Sequence, residues 1–380
     1  MRKALILPTK YVQGEDELLN LGYFVSTFGK SALLIGKNED IERVRTKLNQ
    51  TADKYGVEFF EAGFNGETTR NEVQRLQNML NEQPADCVVG LGGGKALDTA
   101  KVVADSEGLE VIIAPTIAAQ DAPTSHSAVL YTEEHNFDDY YYCKKSPGVV
   151  LADTTVIAQA PTRFLLAGMG DAMSTYFEAR ATHNSYSRVN ASLPMGTREG
   201  YTPSAVGTYA ALQLAKLCFD NLQEDGLKAK LSADNNRVTE SLSKIVETNI
   251  LLSGLGFESG GLAAAHAIYN GLTVLPGTHD YLHGEQVAFT TLIQLVLEDA
   301  EKKEINTVLG FYHSVGLPMT LADIGANEVT YEQALEVAKK ACIPEESIHS
   351  MPFPIDEEQV ANALIVANQV GEEYKQNGPL

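Results

Sequence analysis

The sequence contains no tryptophan, and its 380 residues include only four cysteines, Cys87, Cys143, Cys218 and Cys342. No two of them share a CxxC spacing, which argues against a zinc knuckle or a disulfide framework and fits a reducing compartment. Basic residues are also scarce: 29 Lys and Arg against 50 Asp and Glu give a net charge of -21. Nucleic acid and anionic membrane surfaces both need a basic face, so neither is expected as a partner, and the acidic surface reads as solvation. Long apolar runs are missing as well. No stretch approaches the roughly 20 residues of a membrane span. The opening MRKALILPTK has only a short apolar run before Pro8, without the core of a signal peptide. The expectation is a cytoplasmic protein.

With 44% apolar and 21% charged residues the chain is composed like an ordinary globular protein, and its length suffices for two domains. Lys30 to Gly36, KSALLIG, looks like a buried strand closed by glycine. Helical spacing follows over Ile41 to Tyr55, then a strand from Val57 and a helix over Thr69 to Asn81. DCVVGL, Asp86 to Leu91, and the apolar run Glu110 to Ala114 continue the alternation, which predicts a parallel sheet covered by helices. The tyrosine-rich DDYYYC, Asp138 to Cys143, reads as a strand or hairpin arm. Beyond Pro161 the strand signals stop. The division expected is an α/β domain over 1–161 and a helical domain over 162–380, with helices at Ala205 to Leu222 and Lys228 to Leu252 among others. The segment from about Asn184 to Ser204 is rich in Ser, Asn, Gly and Pro and reads as an exposed loop.

Two stretches of the first domain carry chemistry. Gly92, Gly93 and Gly94 lie between a strand and a helix, where backbone N–H groups and the helix N-terminus suit a pyrophosphate. A tight structural turn explains the glycines equally well, but Lys95 and Asp98 favour the phosphate reading. The run is neither GxGxxG nor Walker A. The loop APTIAAQDAPTSHSAVLY, Ala114 to Tyr131, follows a strand and carries Asp121, and ligands of open α/β sheets bind at strand C-termini.

The second domain supplies candidates for a metal. Small residues Gly260 to Ala265 lead into His266, and seventeen residues later His283 stands at or near a helix start. His279 is an equal rival to His283 on spacing alone. A lone histidine on an apolar helix is more often a core residue with one hydrogen bond. Asp171, in an apolar helical setting after Met169-Gly170, needs a partner and is the candidate third ligand.

GGGKALDTAK, APTIAAQDAP, GMGDAMSTYFEAR, GFESGGLAAAHAIYNGL and HGEQVAF together resemble the glycerol dehydrogenases of the iron-containing alcohol dehydrogenase superfamily, in order and over nearly the whole chain. The resemblance implies a dinucleotide-binding α/β domain with a parallel sheet and an all-α domain, the dehydroquinate synthase-like fold, with the active site in the cleft between them. It implies metal ligands Asp171, His266 and His283, selecting His283 over His279, and a substrate-side carboxylate at Asp121. Cofactor contacts would fall on Gly92, Gly93, Gly94, Lys95, Asp98, Thr116, Ala119, Ser125, Ser127 and Tyr131. Iron-dependent relatives have a histidine four residues after the aspartate; Thr175 stands there, and three ligands suit Zn²⁺ with an open position. The family commonly carries an aspartate after Gly36 that bonds the adenosine ribose. Here Lys37 occupies that place, so NAD is the default implied and NADP stays open.

The activity implied is oxidation of glycerol or a related vicinal diol to the hydroxyketone dihydroxyacetone or its analogue, in a homo-oligomer of up to eight copies. A dehydroquinate synthase-like lyase is the alternative of the same architecture, although its phosphorylated, carboxylated substrate calls for basic side chains that these motifs lack. A dinucleotide-binding homologue without catalysis is the other.

Overall fold

A computed structural model describes residues 2–191 and 205–380. Ten strands occur among them: β1 (Lys3–Ala4), β2 (Tyr11–Gly14), β3 (Ser31–Gly36), β4 (Glu58–Gly63), β5 (Cys87–Gly92), β6 (Glu110–Pro115), β7 (Ser127–Tyr131), β8 (Phe137–Tyr142), β9 (Val149–Asp153) and β10 (Val206–Gly207). Six form one parallel sheet in the order β2-β9-β6-β5-β3-β4. Parallel sheets are covered on both faces, so their strands read as continuous apolar runs. SALLIG and CVVGLG show this, each buried from its second residue or its first. Alternate residues serve opposite faces. Ala32, Leu34, Val89, Ile112 and Leu151 pack with α1 (Leu21–Ser26) and α2 (Asn38–Tyr55). Leu33, Ile35, Val88, Ile113 and Val150 pack with α3 (Arg70–Glu82) and α4 (Gly94–Glu107) in a core that runs on without a break into the helical half.

Chain order reverses at β3, which has β4 on one side and β5 on the other. A doubly wound sheet places its ligand crevice at such a point, outside the strand C-termini. The hairpin β7–β8, antiparallel, follows the Asp121 loop as the tyrosine-rich run suggests.

The helical half comprises α5 (Thr154–Ala158), α6 (Thr162–Ser185), α7 (Tyr209–Asp234), α8 (Glu240–Glu247), α9 (Ser253–Gly260), α10 (Ala264–Leu272), α11 (His283–Leu297), α12 (Lys302–Val315), α13 (Tyr331–Ala341) and α14 (Glu357–Asn377). Two readings of this half are corrected. The helix break expected between Leu222 and Lys228 is absent, because α7 runs straight through Gly226. A Cβ there would lie 2.5 Å from the Phe311 ring, so this glycine serves helix packing rather than a turn. The break comes at Asn236, with a φ of 52°, and Thr239 caps α8 by accepting from the Leu242 N–H. The single helix expected over Lys228–Leu252 is therefore split between the end of α7 and α8, and α8 continues through a π-helical turn over Thr248–Leu252 into α9. Of the segment 184–204, residues 192–204 lie outside the described residues, Asn184 and Ser185 close α6, and Arg188 bridges to Val206. Among the described residues no helix is long and apolar enough to cross a membrane.

Candidate active site at the seam of sheet and helices

The sheet offers a cradle made of backbone. Gly92 ends β5 at a φ of +136°, a region closed to other residues without strain, and a Cβ on it would meet Asp40 Oδ2 at 3.1 Å. Gly93 precedes α4 in extended conformation and no side chain caps the helix, so its first-turn N–H groups are free to face an anion. The loops are tied together here: Thr116 N–H donates to Gly92 O at 3.0 Å, and Arg43 Nη2 donates to Thr116 O at 3.1 Å. Lys95, beside the cradle, is half exposed, paired with Glu67 at 2.6 Å and stacked 4.8 Å from the Tyr131 ring centroid. Lys37 is exposed at the C-terminal end of β3, the first position before α2.

Other cofactor-side candidates are spent on the protein itself. Asp98 accepts from the Val129 N–H at 3.1 Å and pairs with Lys101 at 2.8 Å. Lys101, 1% exposed, also donates to Ala122 O and Ser127 O, so a buried ammonium pins the Asp121 loop from below. The Ser125 hydroxyl bonds within the same loop, to Ala122 O and Ser127 O, while Ser127 Oγ donates to it. Ala119 is half-buried in the loop between Thr116 and Asp121.

The helical half offers side chains. Asp171 on α6, His266 in the first turn of α10 and His283 at the first position of α11 place one ligand atom each within 4.8 Å of one another. His266 Nε2 and His283 Nε2 lie 3.4 and 3.2 Å from Asp171 Oδ1. Close helix contact makes this possible: a Cβ on Gly284 would fall 1.8 Å from Ala167 O, and one on Gly170 2.2 Å from Gly284 O. His279 is exposed and outside the cluster.

The donor set fits a divalent cation. Both carboxylate oxygens of Asp171 are buried and make no hydrogen bond, which a native structure rarely leaves unexplained. Burial works against ionising Asp171, but the two imidazoles outweigh it and hold its carboxyl well below the usual range. Burial likewise opposes the charge on His266, and Glu178 and Asp171 more than reverse that, raising its pKa well above the ordinary histidine value. Two imidazoles and a carboxylate suit zinc or ferrous iron. Thr175, one turn beyond Asp171, bonds Ser253 Oγ at 2.8 Å. Asp121 completes the site from the loop side. It accepts from Ser253 Oγ at 2.7 Å, and burial followed by the Asp171 charge pushes its pKa well up. Tyr269 packs edge-on to His283 at 4.4 Å, its phenol raised to about 12 by burial and then the Asp171 charge.

Sequence reasoning missed several residues. Glu178, 0% exposed, accepts from the Ala263 and His266 N–H groups at 2.9 and 3.0 Å and from His266 Nδ1 at 2.6 Å. That bond turns Nε2 toward Asp171, the usual arrangement behind a metal-binding histidine. The signal was available, since Asp171, Thr175, Glu178 and Thr182 form one polar stripe at helical spacing. Asp40, Lys101 and Ser253 carried no comparable pattern. The buried pair His126 and Glu258 also went unnoticed: the His126 N–H donates to Glu258 Oε1 at 2.7 Å, joining the Asp121 loop to α9.

Comparison with known proteins identifies the family. The model of the iron-containing alcohol dehydrogenases matches residues 8–154. A glycerol dehydrogenase of Pseudomonas putida is 43% identical over 98% of this chain and 99% of its own. A glycolaldehyde reductase of Halobacterium salinarum is 40% identical over 96% of each. The crystal structure of glycerol dehydrogenase from Schizosaccharomyces pombe superposes with a TM-score of 0.92 at 35% identity, over 99% of this chain and 93% of that one. The fold and the resemblance read from the motifs are thereby borne out, and the chain belongs to the glycerol dehydrogenases of the iron-containing alcohol dehydrogenase family, a family of oxidoreductases.

Proposed function

We propose that the protein oxidises glycerol, or a closely related vicinal diol, to the hydroxyketone with NAD as hydride acceptor and Zn²⁺ at Asp171, His266 and His283. In this reading residues 1–161 hold the dinucleotide and 162–380 hold metal and substrate. The observation that carries it is the buried, unbonded Asp171 carboxylate facing two imidazole Nε2 atoms within 4.8 Å. Zinc supplies Lewis acidity, lowering the pKa of an alcohol hydroxyl. Thr175 favours zinc over iron, because its hydroxyl is turned to Ser253 and leaves three protein ligands with room for substrate.

The chain's own residues do the rest. Glu178 fixes the His266 tautomer and keeps Nε2 pointed inward. Asp121 accepts a hydrogen bond from a substrate hydroxyl, orienting the diol for hydride loss. Gly92 to Gly94 and the start of α4 hold the pyrophosphate, with Lys95 beside it once it leaves Glu67. Apolar packing around Ala118 and Met169 excludes water from the seam. The test is nicotinamide absorbance with purified protein and glycerol, after chelation and after adding back zinc or ferrous iron. Reduction of NAD restored best by zinc supports the reading. Restoration by iron alone overturns the metal, reduction of NADP alone overturns the cofactor, and silence with every diol overturns the reaction.

A further inference from the structure

The carboxylate of Asp121 is held by a chain of two buried hydroxyls that begins on the metal-bearing helix. Ser253 Oγ donates to Asp121 Oδ2 at 2.7 Å, and Thr175 Oγ1 lies 2.8 Å from Ser253 Oγ. All three residues are buried, with exposures of 9, 0 and 1% for Asp121, Ser253 and Thr175. Ser253 donates its single hydroxyl proton to Asp121, so in the Thr175–Ser253 contact Thr175 is the donor. The direction of the chain is thus fixed from α6 to the loop.

Its backbone is equally constrained. Ser253 follows the π-helical turn Thr248–Leu252, a feature that tends to occur at functional sites. A Cβ on Gly254 would lie 1.9 Å from Thr124 Oγ1 and 2.8 Å from Asp121 O, and one on Gly256 would lie 2.2 Å from Thr175 Cγ2. The first turn of α9 is therefore pressed between the Asp121 loop and α6 at Gly254 and Gly256, just after Ser253. Thr124 adds a bond from the loop to Ile250 O at 3.3 Å, and Asn249 Nδ2 donates to Ala118 O and Leu165 O, both at 3.0 Å. The π turn is clamped to the loop on either side of Asp121.

We infer that Ser253, oriented by Thr175, is a positioning residue for substrate binding: it fixes the Asp121 carboxylate so that its other oxygen faces the diol. The inference rests on the proposed role of Asp121. A hydrogen bond made equally to bound substrate and transition state appears in KM rather than kcat. Losing a donor to a buried carboxylate should raise KM for glycerol about tenfold in Ser253→Ala, with kcat changed less than about threefold. Thr175→Val, close in shape, should raise KM about threefold. Because the two act in series, the double variant should be no worse than Ser253→Ala alone. Bound metal per chain and the dinucleotide Kd should match the parent in all three.

The measurement is this double-mutant cycle on the full-length metal-loaded enzyme, with Asp121→Asn beside it. A merely structural role would lower the melting temperature and kcat together, leave KM unchanged and make the effects additive; that pattern overturns the inference. So does an unchanged KM in Thr175→Val and Ser253→Ala while Asp121→Asn raises KM. An unchanged KM in Asp121→Asn would instead overturn the substrate role of Asp121. Should Ser253→Ala fail to fold, Thr175→Val decides alone: a KM at the parent value overturns the chain.

Discussion

The proposed cofactor side and the proposed metal side of this site are built in opposite ways. Toward the sheet, β3, β5 and β6 are buried and apolar, and the groups offered to a ligand belong to the backbone after Gly92. Toward the helices the offered groups are side chains, and each polar residue of one stripe faces its own neighbour from another element. On α6 the stripe Asp171, Thr175, Glu178 and Thr182 meets His266 and His283, Ser253, the Ala263 and His266 N–H groups, and Leu262 O in turn. A backbone cradle is sensitive to an added Cβ and indifferent to most side chains. A site of buried charges is sensitive to any lost partner, because an unpaired charge in the interior is costly.

The contrast can be broken most severely at Asp171. Asp171→Asn is expected to abolish metal binding and to lower turnover by about a thousandfold or more while dinucleotide affinity stays unchanged, as checked by metal analysis, kinetics and cofactor titration. Removing the partner rather than the ligand should cost less. Glu178→Gln is expected to weaken metal affinity by about 10- to 100-fold, measured by competition with a chelator. The reverse experiment strikes the sheet side. Gly92→Ala places a Cβ at a φ of +136°, costs about 1–3 kcal/mol of strain, and should raise the dinucleotide Kd about tenfold with metal content intact.

A carboxylate outside the site sharpens the comparison. Asp225 on α7 is buried, which disfavours its charge, but Lys228 and Lys244 outweigh that and bring its pKa to about 2. The folded value lies below the unfolded one of about 3.9, so the stability it adds is present above pH ~4 and lost as pH falls toward 2. Asp225→Asn should lower the melting temperature by about 3 °C at pH 7 and by less at pH 3, read by thermal scans at both. The smallest effect is expected at Lys37, an exposed residue. Lys37→Glu should shift the NADP to NAD preference toward NAD by about threefold, measured as a ratio of kcat/KM values.

Legibility in the sequence followed the same division. The sheet could be read from apolar runs such as SALLIG and CVVGLG, because strands buried on both faces need no particular partner to be recognised. The helical half resisted. α6 is buried at nearly every position from Leu165 to Thr182, so apolar periodicity says nothing about which face carries function. Asp171 stood out only as a charge among apolar neighbours, and Glu178 passed unnoticed although it lies on the same stripe. The unbroken run of α7 past Leu222 stayed hidden for a related reason: the packing of Gly226 against Phe311 leaves no sign in the local sequence. Long-range bonds such as Ser253 to Asp121 and His126 to Glu258 join residues 132 positions apart and leave no local pattern at all.

The central claim is that the helical half supplies a divalent metal without which a dinucleotide bound to the sheet accepts no hydride. It is tested most directly by measuring bound metal and glycerol-dependent nicotinamide reduction together, in the parent protein and in His266→Ala. The expected result is one metal per chain with turnover in the parent, and loss of both in His266→Ala with dinucleotide binding preserved. A variant that retains metal and turnover would contradict the account.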